Sequence, residues 1–192
     1  EEQSGHIKEV GFELYQSMLE ETIANLKGGD LVGAEDQWSP QIALGTAVVL
    51  PETYIADLQL RLGLYRRLSS LVTREDIDSF AAELVDRFGP FPTEVAHLLN
   101  VMEIKGLCRQ AGIQQIDAGP KGAVMSFRKN KFANTEGLAR LISVKNSSFK
   151  AQADHKLVFR ADWEEADDRL AGVRALVKQL AAIAGQGAKG KK

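Results

Sequence analysis

The chain has 192 residues and a mass of 21.0 kDa, the size of one domain, or of one domain with a short extension. Hydrophobic residues make up 44% and charged residues 26%, and Lys+Arg 24 against Asp+Glu 26 leaves a formal charge of -2, which excludes a bulk positive field drawing the chain to nucleic acid or anionic lipid. A single cysteine excludes an internal disulfide framework and fits a reducing, cytoplasmic setting; no apolar run reaches the roughly 18–20 residues that a membrane span would need, and no secretory h-region is read at the front.

The chain opens Glu1-Glu2-Gln3 without a methionine, as a processed product or a piece of a longer chain would. Ile7, Val10, Leu14, Met18, Leu19, Ile23 and Leu26 recur at helical spacing and predict a helix over 7–26. Gly28-Gly29 stops it. Residues 28–40, with glycines, acids and a proline but no regular apolar face, read as a linker that marks the domain boundary. Residues 42–50 are β-prone and end at Pro51, predicting a short strand. Pro51-Glu52 suits the start of a helix, with Ile55, Leu58, Leu62, Tyr65, Leu68 and Val72 along one side and an end near Ser69-Ser70.

Thr73 then stands as an N-cap, with Asp76 three residues on where a capping box normally has Glu. The helix it opens carries Ile77, Phe80, Ala81, Leu84 and Phe88 and closes at Gly89-Pro90. A third helix is predicted over 92–111, buried along Val95, Leu98, Leu99, Met102 and Leu107 and capped by Gly112. The period then changes to two. Ile113, Ile116 and Ala118 precede Gly119-Pro120-Lys121-Gly122, and Val124, Met125 and Phe127 follow, which predicts strand, turn, strand. A short helix over 135–144, a strand over 156–161, a closing helix over 163–184 and a disordered tail over 185–192 complete the chain. Helices in a block followed by clustered strands predict an α+β fold: a helix-rich domain over 41–184 with a small, mainly antiparallel sheet, preceded by an N-terminal helix and linker.

Groups able to do chemistry are sparse. His6, His97 and His155 have neither an i,i+4 partner nor a nearby cysteine for zinc. His97 borders the buried stripe of its helix and reads as a half-buried structural residue, and Cys108 beside Leu107 reads as a small buried hydrophobe. Gly119-Pro120-Lys121-Gly122 lacks the GK[ST] of a phosphate loop, and Pro120 removes an amide donor. No metal, cofactor or catalytic residues are assigned.

Two charge features remain. Arg61, Arg66 and Arg67 lie on one predicted helix next to Tyr65, an arrangement open to phosphate or carboxylate binding, or to plain solvation. In the next helix Glu75, Asp76, Asp78, Glu83 and Asp86 outnumber Arg74 and Arg87. At roughly 100° per residue, Glu83 and Asp86 fall side by side, nearly opposite the apolar stripe. They are expected to point outward and repel one another, as either a solvated face or a docking surface for arginines on a partner.

Leu50-Pro51-Glu52-Thr53-Tyr54-Ile55, followed by the stretch Leu60-Arg61-Leu62-Gly63-Leu64-Tyr65-Arg66-Arg67-Leu68, and then Glu83-Leu84-Val85-Asp86-Arg87-Phe88-Gly89-Pro90-Phe91-Pro92, resemble two segments of the C-terminal domain of the bacterial transcription-repair coupling factor family, Mfd, in the same order and spacing. The likeness runs from about Ile42 onward. Near the N-terminus Gln3, Gly5, Gly11 and Tyr15 lie in a stretch similar to the end of the translocation motif that this family shares with the RecG helicase.

The resemblance implies a regulatory, non-catalytic part of an ATP-dependent DNA translocase. ATP and magnesium would bind motor domains outside this sequence. The parent would engage RNA polymerase stalled at damaged duplex DNA, remove it and recruit UvrA for excision repair. The domain would dock on a UvrB-like N-terminal module and mask its UvrA-binding surface. Carried over residue by residue, the acids in that contact are Glu83 and Asp86. The competing reading is a DNA-binding accessory module using Arg61, Arg66 and Arg67.

Overall fold

A computed structural model describes residues 38–189, with side chains to 187. The predicted helix over 7–26, most of the 28–40 linker and the motif residues Gln3, Gly5, Gly11 and Tyr15 lie outside the described residues. The rest divides into two compact units, one holding residues 47–103 and the other 39–46 with 104–189, so the division falls inside one helix.

The first unit is helical. Residues 51–57 form a turn and an extended lead-in rather than the expected helical start, with the amides of Tyr54 and Ile55 both bonded to the Pro51 carbonyl. The helix begins later because Asp57 caps it: its carboxylate accepts from the Leu60 amide at 2.7 Å, giving α1 over Leu58–Ser70. Val72, expected on the buried side, lies beyond that helix and is 71% exposed. The next helix, α2 over Arg74–Phe88, follows the prediction closely. Asp76 completes a full capping box with Thr73 despite being one methylene shorter than Glu, and Gly89 closes the helix at φ +81°. Helix α3, Thr93–Ala111, starts after Pro92 and stops at Gly112, where φ is +68°.

Leu64, Leu68, Phe80, Leu84, Val95 and Leu98 form the centre of this unit's core. Two tyrosines tie loops to it. The Tyr65 hydroxyl accepts from the Leu50 amide at 2.7 Å. The Tyr54 hydroxyl meets the carbonyls of Leu84 and Gly89 at 3.1 and 2.9 Å and so fastens the end of α2 to the lead-in of α1.

The second unit is a five-stranded sheet with helices on one face. Its strands are β1 (Gln41–Ala43), β2 (Ile113–Gly119), β3 (Gly122–Phe127), β4 (Phe149–Ala151) and β5 (Lys156–Arg160), in the order β1-β2-β3-β5-β4. The pairing is antiparallel except for β1 with β2, which is parallel. The sheet is therefore mainly antiparallel, as expected. Strand β1 is only three residues long, against the nine predicted over 42–50. The three-residue β4 falls in a stretch where no strand was predicted.

Helix α4 (Thr135–Ser143) packs on β4 and on the closing helix α5, and α5 (Ala166–Lys189) also packs on β2. Helix α5 starts three residues later than predicted and runs past Ala184 into the stretch expected to be a disordered tail.

Alternation along the strands divides the sheet. Ile42, Ile116, Met125, Phe127, Leu157 and Phe149 turn inward and are buried. Ile104 and Cys108 of α3 and Leu170, Val173, Val177 and Leu180 of α5 are buried as well. Trp163 stacks on Phe159 at 5.6 Å. A Cβ on Gly172 of α5 would fall 2.2 Å from the Trp163 ring, so only glycine permits that approach. The opposite face is exposed at Gln41, Gln115, Lys150 and Arg160 and half-buried at Val124, Ser126 and Val158.

Candidate interaction surface

Helix α2 offers a face of its own to solvent. Its buried residues are Ile77, Phe80 and Leu84, while Glu75, Asp78, Ser79, Ala82, Val85 and Asp86 are exposed. Val85 is 44% exposed between acidic neighbours.

The two acids singled out by spacing have different environments. Glu83 is not a bare outward charge, which corrects the expectation that it would simply repel Asp86. Its carboxylate accepts two bonds from Arg67 of α1, at 2.7 and 2.6 Å, and one from Arg87, four residues along α2, at 2.8 Å. The Arg67 guanidinium lies 5.1 Å above the Phe80 ring and that of Arg87 lies 5.0 Å above Phe88. Each arginine is thus held by an aromatic face as well as by the carboxylate. The planar fork of Arg67 matches both carboxylate oxygens, the geometry in which such pairs are strongest.

Hydrogen bonds from Arg67, then from Arg87, draw the Glu83 carboxyl down to about 2. The Arg67 guanidinium is correspondingly pushed up, chiefly by its bonds to Glu83. Asp86 is exposed and has no ion pair among the described residues; the same holds for Glu75. Asp78 and Asp76 are committed, the first to Arg74 at 3.0 Å and the second to the cap.

A pH dependence follows. In the folded chain Glu83 holds its proton less tightly than in the unfolded chain, so its network contributes fully above the ordinary carboxylate value near 4.5 and is lost as pH falls toward 2. The difference in urea midpoint between the parent and Glu83→Gln is expected to be largest above pH 5 and to shrink steadily down to pH 2.5. A difference independent of pH over that range would refute the assignment. The side chain is 33% exposed and screening is strong there, so the effect is modest in size.

The arginine cluster does not assemble. Arg61 is buried, 5% exposed, and donates to the carbonyls of Ile55 and Ala56. Arg67 is consumed by Glu83, and only Arg66 of the three is both exposed and without an ion pair among the described residues. The accessory DNA-binding reading based on Arg61, Arg66 and Arg67 loses its basis, because two of its three cations hold the fold.

His97 is buried, more deeply than the half-buried position expected, at 7% exposed. Cys108 is fully buried and desolvation pushes its thiol up to about 12, the behaviour of a small hydrophobe and not of a nucleophile. No group of three His, Cys, Asp or Glu suited to a metal occurs among the described residues, and no described helix is long and apolar enough to cross a membrane.

Sequence spacing found Glu83 and Asp86 but missed the arginine partners of Glu83. Arg87 stands at i+4 from Glu83, so that half of the network is legible in the sequence. Arg67 comes from another helix and is not.

The comparisons with known proteins fall on the same residues. A family model described as the TRCF domain matches residues 44–138. The transcription-repair-coupling factor of Rickettsia conorii is 43% identical over 159 residues, which is 83% of this chain and 14% of that protein. That of Escherichia coli K12 is 30% identical over 182 residues, covering 94% of this chain and 16% of that protein. The chain therefore spans about one seventh of the length of these relatives. The crystal structure of a C-terminal domain of transcription-repair coupling factor superposes with a TM-score of 0.62 at 21% identity, over 81% of this chain and 97% of that one, a likeness of fold. Residues 44–138 hold the TRCF domain, and the chain belongs to the transcription-repair coupling factor family.

Proposed function

We propose that this chain supplies a non-catalytic regulatory domain to a translocase of the transcription-repair coupling factor family. It docks through the exposed acidic face of α2 on a UvrB-like N-terminal module of the same protein and masks that module's UvrA-binding surface. The parent protein, with ATP and magnesium in its motor domains, moves on duplex DNA and displaces stalled RNA polymerase. On this reading Gln3, Gly5, Gly11 and Tyr15 belong to the end of its translocation motif.

The observation that carries the reading is the pairing on one helix face of Asp86, which has no ion pair among the described residues, with Glu83, whose arginine partners are solvent-exposed. A partner presenting arginines gains Asp86 outright. It gains Glu83 by exchanging one guanidinium for another, a swap of similar bonds that leaves no charge stranded. Contacts of this kind are modest in energy when exposed, as a clasp that must open requires.

Calorimetric titration of this chain with the UvrB-like module tests it. Binding is expected for the parent sequence and is expected to fall at least about tenfold in Glu83→Gln/Asp86→Asn, which removes both charges without placing a third cation beside Arg67 and Arg87. Binding unaffected by that pair of substitutions would place the contact elsewhere. UvrA binding by the full-length protein is the second readout, and it is expected to rise in the same variant.

A further inference from the structure

The charge of this chain is unevenly placed. Residues 128–160 contain eight Lys and Arg but only two Asp and Glu, in a chain whose formal charge is -2. The fold gathers part of this excess on the open face of the sheet. Lys156, Val158 and Arg160 point the same way along β5, and the register Lys150↔Val158 puts Lys150 of β4 on that face. Through β3 and β2 the face continues as Val124, Ser126, Gln115 and Asp117.

Lys150 and Arg160 are exposed and have no ion pair among the described residues, and Lys145 in the turn before β4 is alike. So are Lys129 and Lys131, just after β3. Two acids compete. Asp154 is paired with Lys156 at 2.9 Å, and Asp117, on β2, is hydrogen-bonded by Gln115 at 2.9 Å. A single lysine on the short edge strand β4 would suffice to block strand addition, and that need does not extend to cations at both ends of β5 and in the adjoining turns.

We infer that the β5–β4 side of the open sheet face, with Lys145, Lys150 and Arg160, is a contact surface for the phosphate backbone of duplex nucleic acid. Positions 156 and 160 stand about 13 Å apart along an extended strand, and duplex DNA carries about one charge per 1.7 Å of its axis. The surface thus faces several phosphates at once. The strands put no aromatic side chain on this face, so unpaired bases have nothing to stack on, and a single strand gains less than a duplex of equal charge density. No fork of donors is set against base edges, so binding is independent of sequence. This surface shares no residue with the α2 face and stands or falls apart from it.

Fluorescence anisotropy of a labelled 20-base-pair duplex against this chain, from about 30 to 200 mM salt, tests the inference. The expected results are micromolar to submillimolar affinity at low salt and a steep loss with salt. In Lys145→Gln/Lys150→Gln/Arg160→Gln the slope of log affinity against log salt should shrink in magnitude by about 2–3, with affinity falling more than about tenfold. All three side chains are exposed, so the far-UV spectrum and melting temperature are expected to stay those of the parent. Glu83→Gln/Asp86→Asn should bind the duplex as the parent does. No binding at 30 mM salt, or a slope unchanged in the triple variant, would overturn the inference. So would tighter binding of a single strand of equal length, or equal binding of a polyglutamate peptide, the second of which would mark an acidic protein segment as the occupant.

Discussion

Gly122→Ala is expected to cost roughly 3 kcal/mol or more and to lower the thermal midpoint by on the order of 10 °C. Gly122 opens β3 at φ +123°, a backbone region that side-chain-bearing residues avoid. A Cβ built there would lie 1.9 Å from the carbonyl oxygen of Phe159 and 3.0 Å from the Ala161 amide nitrogen, both of them backbone atoms that no rotamer change can move aside. Relief requires β3 and β5 to separate where Gly122 pairs with Arg160, one of the rungs that fix the register of the sheet.

The smaller freedom of an unfolded chain with alanine, worth about 0.4–1 kcal/mol, offsets only part of this. Gly119→Ala is the control. It stands across the same turn with open space where its Cβ would go and with no left-handed φ, and its effect is expected to stay within about 0.5 kcal/mol. Circular dichroism melts of the two variants against the parent decide the matter, and equal midpoints would show that the close approach to Phe159 is not a constraint.

The boundaries that sequence reading placed well are those set by residues in immediate contact along the chain. Thr73 with Asp76, Gly89 and Gly112 begin or end helices through bonds and backbone angles that span at most a few residues, and α2 and α3 came out as read. Pro51 misled because its carbonyl serves a turn, while the true cap, Asp57, lies six residues on. Strand β1 owes its existence to a parallel pairing with β2 across some seventy residues of intervening chain, and β4 to pairing with β5. Neither has a local pattern long enough to announce it.

The acidic face of α2 was legible because helical period alone puts Asp86 opposite Leu84 and Ile77 and Glu83 beside it on the flank. That Arg67 reaches across from α1 to fill the Glu83 carboxylate is a tertiary fact. The basic sheet face went unread for a similar reason: its cations are spread thinly along the sequence and converge only through the register of β4 with β5.

Arg169→Met is expected to destabilise the chain by about 3 kcal/mol, and Arg169→Lys to recover only part of that. Arg169 is, among the described residues, one of four buried polar or charged side chains, with Arg61, His97 and Lys105, that composition alone assigns to the surface. It stands in the first turn of α5, where the helix dipole disfavours a cation, and Asp167 and Asp168 beside it are the kind of residue that position prefers. What it does there is bind backbone. Its guanidinium donates to the carbonyls of Leu44 at 2.7 Å, Trp163 at 3.2 Å and Glu164 at 3.1 Å, joining the exit of β1 to the lead-in of α5.

Gly45 turns the chain away from Leu44 at φ +64°, and a Cβ there would lie 3.3 Å from the same guanidinium. Methionine keeps much of the volume but leaves those carbonyls without their donor, at about 1–3 kcal/mol for each that water cannot reach. The loss is tempered because a charge whose Nε has no hydrogen-bond partner no longer has to be desolvated. A lysine ammonium, lacking the planar fork, cannot hold three divergent carbonyls. Urea unfolding of the parent and both variants is the measurement. An Arg169→Met midpoint equal to the parent's would mean that β1 and the start of α5 are held by packing of Leu44 and Trp163 alone, with the guanidinium a passenger between them.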